Sequence, residues 1–387
     1  MPTRGIRTRS TSRIGAGSTY QAPRIAAVSA ARRVLVPFLL TRALTAAVAL
    51  AAIELFPTPT SCPDVCHPSA NPLLDAATRW DAGAYLSIAR DGYGAVVTGN
   101  HAYLPLYPAL MHALGVVLGG SDDAYLAAGV VISNAALLAA LVYLVRLVEI
   151  DHDSATGSRA ALYLLVFPTS MFFSVVYPES LLLALSIGAV YHARRGEWLL
   201  AGALGVLAAL TRAFVGAAVA LPIAIEAFRR TGARGALATA TWAPAAFIAW
   251  LAVLWRMTGD QKALFTAEAN WGTRPAVPLQ AFADLFDPSV YGFPYFVLAF
   301  TVLIGALVIV AWRILRPSLA AYATVVFLIS IATGSLTSAP RYYLTIFPAF
   351  VVLALVAHPW VGRTYVALGT TIGVIFTAMY ALWYWVA

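Results

Sequence analysis

The sequence predicts an all-α polytopic membrane protein, and three observations carry that prediction. Of its 387 residues 61% are hydrophobic and 11% charged, with a mean hydropathy of +0.79. A soluble domain carries about a quarter charged residues. Apolar runs recur from residue 34 to the C-terminus, many near the ~20 residues that a helix needs to cross a bilayer. The runs are continuously apolar, whereas the strands of a membrane barrel alternate. One helical bundle, residues 34–387, accounts for all three observations.

The net charge of +8 does not point to nucleic acid, because the basic residues sit at the ends of apolar runs. Residues 1–33 hold seven arginines and no acid, and read as a disordered cytoplasmic tail retained by the positive-inside rule. A cleavable signal peptide fits poorly, since no small-residue cleavage site clearly follows the run at 34–56. That run is the first span, and its far end faces outward. Segment 57–123 follows as the first extracytoplasmic loop, with helical stretches at 82–90 and 105–119. It also carries Cys62 and Cys66, read either as a local disulfide favoured by an oxidising compartment or as two free thiols. With only His67 beside them, a zinc site is not expected.

Later apolar runs fall at 124–145, 160–176, 179–193, 198–211, 213–228, 236–257, 294–313, 318–334, 342–357 and 361–386. If 105–119 lies flat on the membrane, the connections holding Arg146 and Arg159, Arg194 and Arg195, Arg229, Arg230 and Arg234, Arg313 and Arg316, and Arg363 all fall inside, as the positive-inside rule prefers. If 105–119 crosses, most fall outside. The flat arrangement gives about eleven transmembrane helices, N-terminus in and C-terminus out, with hairpins broken at Pro178 and at Thr211-Arg212. Segment 258–293 is then a second large outer loop.

This threading collects polar residues on the outer face. Asp81, in Arg79-Trp80-Asp81-Ala82-Gly83-Ala84-Tyr85, stands at the lipid–water boundary that Trp and Tyr favour. It is read either as a general base for a sugar or lipid hydroxyl or as the N-cap of 82–90. Arg212 and Arg341 sit at outer ends of apolar segments, where each can pair with a lipid phosphate or snorkel as an anchor. Glu179 is a site residue or a first-turn charge favoured by the helix dipole, and His101 touches substrate or headgroups. No phosphate-binding Gly-rich loop and no HExxH motif occurs. An outer-face enzyme has no access to cytosolic nucleotide sugars, and a lipid-linked phosphosugar meets the need for an activated donor. The rival reading, a transporter or flippase, requires polar groups at mid-membrane, whereas here they gather at one face.

The chain resembles the PIG-V-like mannosyltransferases of the GT-C glycosyltransferase class. The resemblance rests on Arg79-Trp80-Asp81 with Tyr85 and Gly92-Tyr93, and on Leu104-Pro105-Leu106-Tyr107-Pro108. It continues through the run from Phe167 to Ser180, which includes Tyr177-Pro178-Glu179, and ends with Trp198-Leu199-Leu200-Ala201-Gly202 through Thr211-Arg212. Tyr177-Pro178-Glu179 departs from the family's usual Tyr-Ser-Glu or Tyr-Thr-Glu. The resemblance implies a GT-C-like fold with membrane-parallel helices in the first outer loop. It implies an inverting transfer, of mannose in this family, from a polyprenyl-phosphate sugar to a glycolipid, lipoglycan or other acceptor. Asp81 falls on the family's catalytic acid residue and Arg212 on its arginine, while Arg79, Trp80, Tyr85, His101, Tyr107, Tyr177 and Glu179 are candidates for substrate contact. No cofactor, metal or nucleic acid is expected beyond the bilayer, the lipid-linked donor and the acceptor. A GT-C enzyme for another sugar is the second alternative. Arginine outnumbers lysine 24 to 1, which hints at a GC-rich bacterial genome and a plasma membrane.

Overall fold

A computed structural model describes residues 23–57, 67–94, 98–270, 278–283, 285, 293–336, 338–356 and 358–386. Every regular element among them is helical. Helix α1 (Pro23–Leu55) starts ahead of residue 34, so Arg24, Arg32 and Arg33 ride on its first turns and the last part of the expected tail is helix. Residues 1–22 lie outside the described residues, as do Cys62 and Cys66.

Next come α2 (Pro72–Ala76), α3 (Ala82–Asp91) and α4 (Leu106–Val117). With 10 and 12 residues, α3 and α4 reach roughly 15–18 Å, too little for a ~30 Å hydrocarbon core. These are the stretches expected not to cross. Gly119 and Gly120, with φ of 114° and 71°, turn the chain into α5 (Asp122–Val148), whose first turn is capped by Ser121 accepting from the Ala124 N–H at 3.2 Å. Then follow α6 (Ser154–Leu165), α7 (Glu179–Arg195), α8 (Trp198–Ala209), α9 (Ala213–Ala217), α10 (Ala220–Ala240) and α11 (Trp242–Thr258). The rest comprises α12 (Ala263–Ala269), α13 (Pro278–Ala283), α14 (Pro294–Ile314), α15 (Pro317–Ile331), α16 (Ala339–Tyr342), α17 (Phe347–Val356) and α18 (Pro359–Ala381). At the expected hairpin breaks α7 starts directly after Pro178, α6 having already ended at Leu165, and α8 stops before Leu210–Arg212, while Gly232 (φ 76°) interrupts α10 amid its arginines.

Among the described residues five segments are long and apolar enough to cross a membrane: Ala27–Leu55, Asp122–Val148, Ala213–Thr258, Pro294–Ile314 and Pro359–Ala381. α16 with the following turn, joined to α17 through a 75° bend, makes a sixth. Other expected spans fall on shorter helices, such as α8 with 12 residues and α15 with 15, so length and composition alone do not reach eleven. Leu40, Leu237, Ile309 and Leu368 are each more than half exposed; such surface suits lipid rather than water.

The stretch between α6 and α7 is not a continuous helix, and its sequence says why. Pro168 and Pro178 lack N–H groups and disfavour helix at the residues before them. Irregular backbone at membrane depth is tolerated only where the protein meets its polar groups. Here the Ser170 carbonyl accepts from Arg42 of α1 (2.9 Å), the Phe173 carbonyl from the Ser180 hydroxyl (2.8 Å) and the Tyr177 carbonyl from the Ser133 hydroxyl (3.0 Å). The Thr169 hydroxyl donates to the Pro340 carbonyl at 2.9 Å, tying this stretch to α16. It delivers Tyr177 and Glu179 to one end of the bundle. Arg194, in the last turn of α7, sits roughly 22 Å away along the helix at 1.5 Å per residue, so Glu179 and Arg194 mark opposite ends of α7.

Candidate active site

At the Glu179 end four charged side chains form a chain of ion pairs. Asp81 Oδ2 accepts from Arg341 Nη1 at 2.8 Å, Arg341 Nε lies 3.4 Å from Glu179 Oε1, and the same Glu179 oxygen accepts from Arg212 Nη1 at 2.7 Å. The chain alternates in sign, Asp81–Arg341–Glu179–Arg212, and its formal charges cancel. Each residue arrives from a different helix break: the start of α3, the short helix α16, the start of α7, and the gap between α8 and α9. Breaking helices frees backbone groups, and a site at membrane depth tolerates that only inside protein.

The geometry shows what each of these side chains touches. Asp81 does precede α3, but its side chain makes no capping hydrogen bond; its second oxygen accepts from the Tyr103 hydroxyl at 3.2 Å. Arg341 is 4% exposed and lies under the rings of Tyr177 (5.2 Å) and Trp385 (5.5 Å), so it does not snorkel. Arg212 stacks on Tyr342 at 4.3 Å besides pairing with Glu179. Glu179 is both a first-turn acid of α7 and a member of the cluster, 1% exposed. Burial, and next the neighbouring Asp81 carboxylate, hold the Tyr103 hydroxyl far above its ordinary pKa, so it stays a proton-bearing donor to Asp81.

Asp81, Tyr103, Arg212 and Arg341 line a cavity of about 840 Å³, within the size range of ligand pockets, while the buried Glu179 holds the two arginines from behind its wall. Trp80, Tyr85 and Trp385 share its wall with Asp81 and Arg341, while Phe214, Val215 and Phe265 make its side near Arg212 apolar. Other expected contact residues brace the site from behind. Arg79 is fully buried, donates to the Ala381 carbonyl (3.0 Å) and Asp75 (2.8 Å), and lies 4.9 Å under the Trp383 ring. The Tyr177 hydroxyl accepts from the Asp81 N–H (3.1 Å) and donates to the Arg79 carbonyl (3.2 Å). Tyr107 spends its hydroxyl on the Gly129 carbonyl and Ser133, and His101, half-buried on the turn Thr98–Ala102, does not line the cavity. Tyr103, Tyr342, Trp385 and Glu268, which sequence reasoning passed over as site residues, do line it. Trp80 and Trp383 both adopt positive φ, 55° and 69°, which strains a bulky residue, and their rings meet at 5.8 Å beside Asp81.

A family model described as Mannosyltransferase (PIG-V) matches residues 27–223, a span that holds Asp81, Glu179 and Arg212. Among solved structures, ArnT from Cupriavidus metallidurans, crystallised with undecaprenyl phosphate, matches with a TM-score of 0.52 and 15% identity. The match covers 84% of this chain and 61% of that one, so the chain spans less than two thirds of that protein's length. The likeness is one of fold, the GT-C fold expected above. No curated protein matches the chain significantly.

Proposed function

The chain belongs to the Mannosyltransferase (PIG-V) family, and from that membership we propose that it moves mannose from a polyprenyl-phosphate donor to a hydroxyl acceptor, with inversion, at the outer membrane face. The observation that carries the reading is that Asp81, Arg341 and Arg212, linked in one ion-pair chain through the buried Glu179, line a large, partly apolar cavity. ArnT was solved with undecaprenyl phosphate, and a lipid of that chemistry fits the cavity's division of labour. Arg212 and Arg341 offer N–H donors to the phosphate, and the Ala213–Phe214–Val215 side takes the start of the isoprenoid chain. Trp80 and Trp385, flanking Asp81, face the sugars.

The transfer is a single displacement. The acceptor hydroxyl oxygen forms a bond to the anomeric carbon as the bond from that carbon to the phosphate oxygen breaks. The bonding electron pair leaves with the polyprenyl phosphate, and the hydroxyl proton passes to Asp81. Guanidinium donors aimed at the departing phosphate stabilise the charge that develops there. Before the donor arrives the four charges cancel, so the phosphate must take donors from a carboxylate. Arg341 is the one to share, because releasing Asp81 to the phosphate's benefit also frees the base.

Asp81→Asn keeps the size and the hydrogen bond to Tyr103 but cannot take the proton. Transfer from polyprenyl-phosphate mannose by purified protein should fall by roughly 10²–10⁴-fold with the thermal unfolding profile retained. A fully active Asn variant removes Asp81 from the reaction.

A further inference from the structure

We infer that the opposite end of the molecule holds a binding site for the phosphodiester headgroup of an anionic glycerophospholipid, separate from the Asp81 cavity. A second cavity, about 430 Å³, lies where α5 ends and α14 turns into α15. Arg229, Arg316, His152 and Asp151 supply its polar wall, and Leu315 and Val351 are among its apolar lining. Apolar side chains beside arginines at a helix-bundle end suit a headgroup whose acyl chains continue into the bilayer.

The charges around this cavity do not cancel. Asp151 is already committed, accepting from Arg194 in a two-pronged pair at 2.7 and 2.8 Å. Glu226, 1% exposed, accepts from the Ser318 hydroxyl at 2.5 Å and lies 3.8 Å from Arg194 Nε. Arg316 stands 3.5 Å from Glu226 and 3.8 Å from Asp151, too far for hydrogen bonds, and its Nε has no hydrogen-bond partner. Arg229 makes no ion pair among the described residues. The guanidinium groups of Arg194, Arg229 and Arg316 outnumber the carboxylates Asp151 and Glu226, and Arg230, which donates to the Arg194 carbonyl, adds to the positive excess that an anionic phosphodiester would offset. Arg194 spends both terminal nitrogens on Asp151, whereas Arg229 and Arg316, which line the cavity, keep donors free to face it. Arginine's fork matches phosphate oxygens, so a phosphodiester satisfies both the charge and the free N–H groups. Generic snorkelling explains Arg229 alone but leaves Arg316, held against two acids without a hydrogen bond, unexplained.

The test uses the full-length protein, purified in a neutral detergent and titrated with phosphatidylglycerol, phosphatidylcholine or inorganic phosphate, read by native mass spectrometry and thermal unfolding. One phosphatidylglycerol should stay bound and raise the midpoint, while phosphatidylcholine does neither. Arg229→Gln, at an exposed position with no ion pair among the described residues, should weaken phosphatidylglycerol binding by roughly fivefold. The Arg229→Gln/Arg316→Gln double variant should abolish the headgroup preference. Equal retention of the two lipids by the wild type, or an unchanged affinity in Arg229→Gln, overturns the site. Full protection by millimolar inorganic phosphate with no gain from the lipid overturns the lipid assignment. None of these readouts depends on glycosyl transfer.

Discussion

Glu179 is the most deeply buried of the four charges at the active site, 1% exposed, and it is the one that touches both arginines. A buried carboxylate between two guanidinium groups fixes where each points, and removing such a charge leaves its partners uncompensated, a loss of about 3–5 kcal/mol in buried pairs. Glu179→Gln should therefore raise the donor KM and lower the thermal midpoint, with Arg212 and Arg341 no longer held for the phosphate. A wild-type donor KM in that variant would reduce Glu179 to a first-turn charge of α7. The four charges were legible in the sequence because an ionisable residue at the border of an apolar run is costly and demands a reason. Their pairing was not, since Asp81 and Arg341 are 260 positions apart. Tyr103, Tyr342 and Trp385 were hidden for another reason: an aromatic ring at a membrane border looks the same whether it faces headgroups or substrate. Only packing separates Trp385, against Arg341 at 5.5 Å, from Trp360, which is 63% exposed.

At the scale of elements, the break between α8 and α9 shows how close packing sets the site. Gly216 of α9 has room for no side chain: a Cβ there would come within 2.0 Å of the Ala208 carbonyl oxygen. Small residues permit such backbone contact between membrane helices. The Gly216 N–H also donates to the Arg212 carbonyl at 3.1 Å, so pushing α9 away drags Arg212 off Glu179. Gly216→Ala should cost donor affinity although residue 216 lines no part of the cavity, and its effect should vanish in an Arg212→Ala background. Additive losses in the double variant would show that Gly216 acts elsewhere. Helix breaks at Pro178 and Thr211-Arg212 could be read from residue chemistry, because neither a proline nor an arginine sits comfortably in an apolar helix interior. The start of α1 at Pro23 could not: its first turns, rich in Ala and Arg, are good helix formers but carry the charge of a tail. The number of crossings was equally beyond composition, since α8 and α15 are apolar but short.

For the whole molecule the decisive quantity is which side of the membrane each end of α7 occupies. The Asp81 end holds a balanced cluster, whereas the other end gathers Arg146, Arg194, Arg195, Arg229, Arg230 and Arg316 around Glu149, Asp151, Glu197 and Glu226. Excess arginine in short connections favours the cytoplasmic side, which supports the proposed placement of Asp81 outside, where a lipid-borne sugar is the accessible donor. α5 links the two ends: its 27 residues reach roughly 40 Å, more than the ~30 Å hydrocarbon core. Asp123, exposed at its start, and Ala155, exposed just beyond its end in α6, therefore report opposite compartments. With Cys62 and Cys66 replaced by Ser, Asp123→Cys should react with a membrane-impermeant maleimide in intact cells, and Ala155→Cys only after permeabilisation. The reverse pattern would set Asp81, Arg212 and Arg341 in the cytosol, beside nucleotide sugars. A polyprenyl-phosphate donor would then hold no advantage over a nucleotide sugar, even with every distance in the site unchanged.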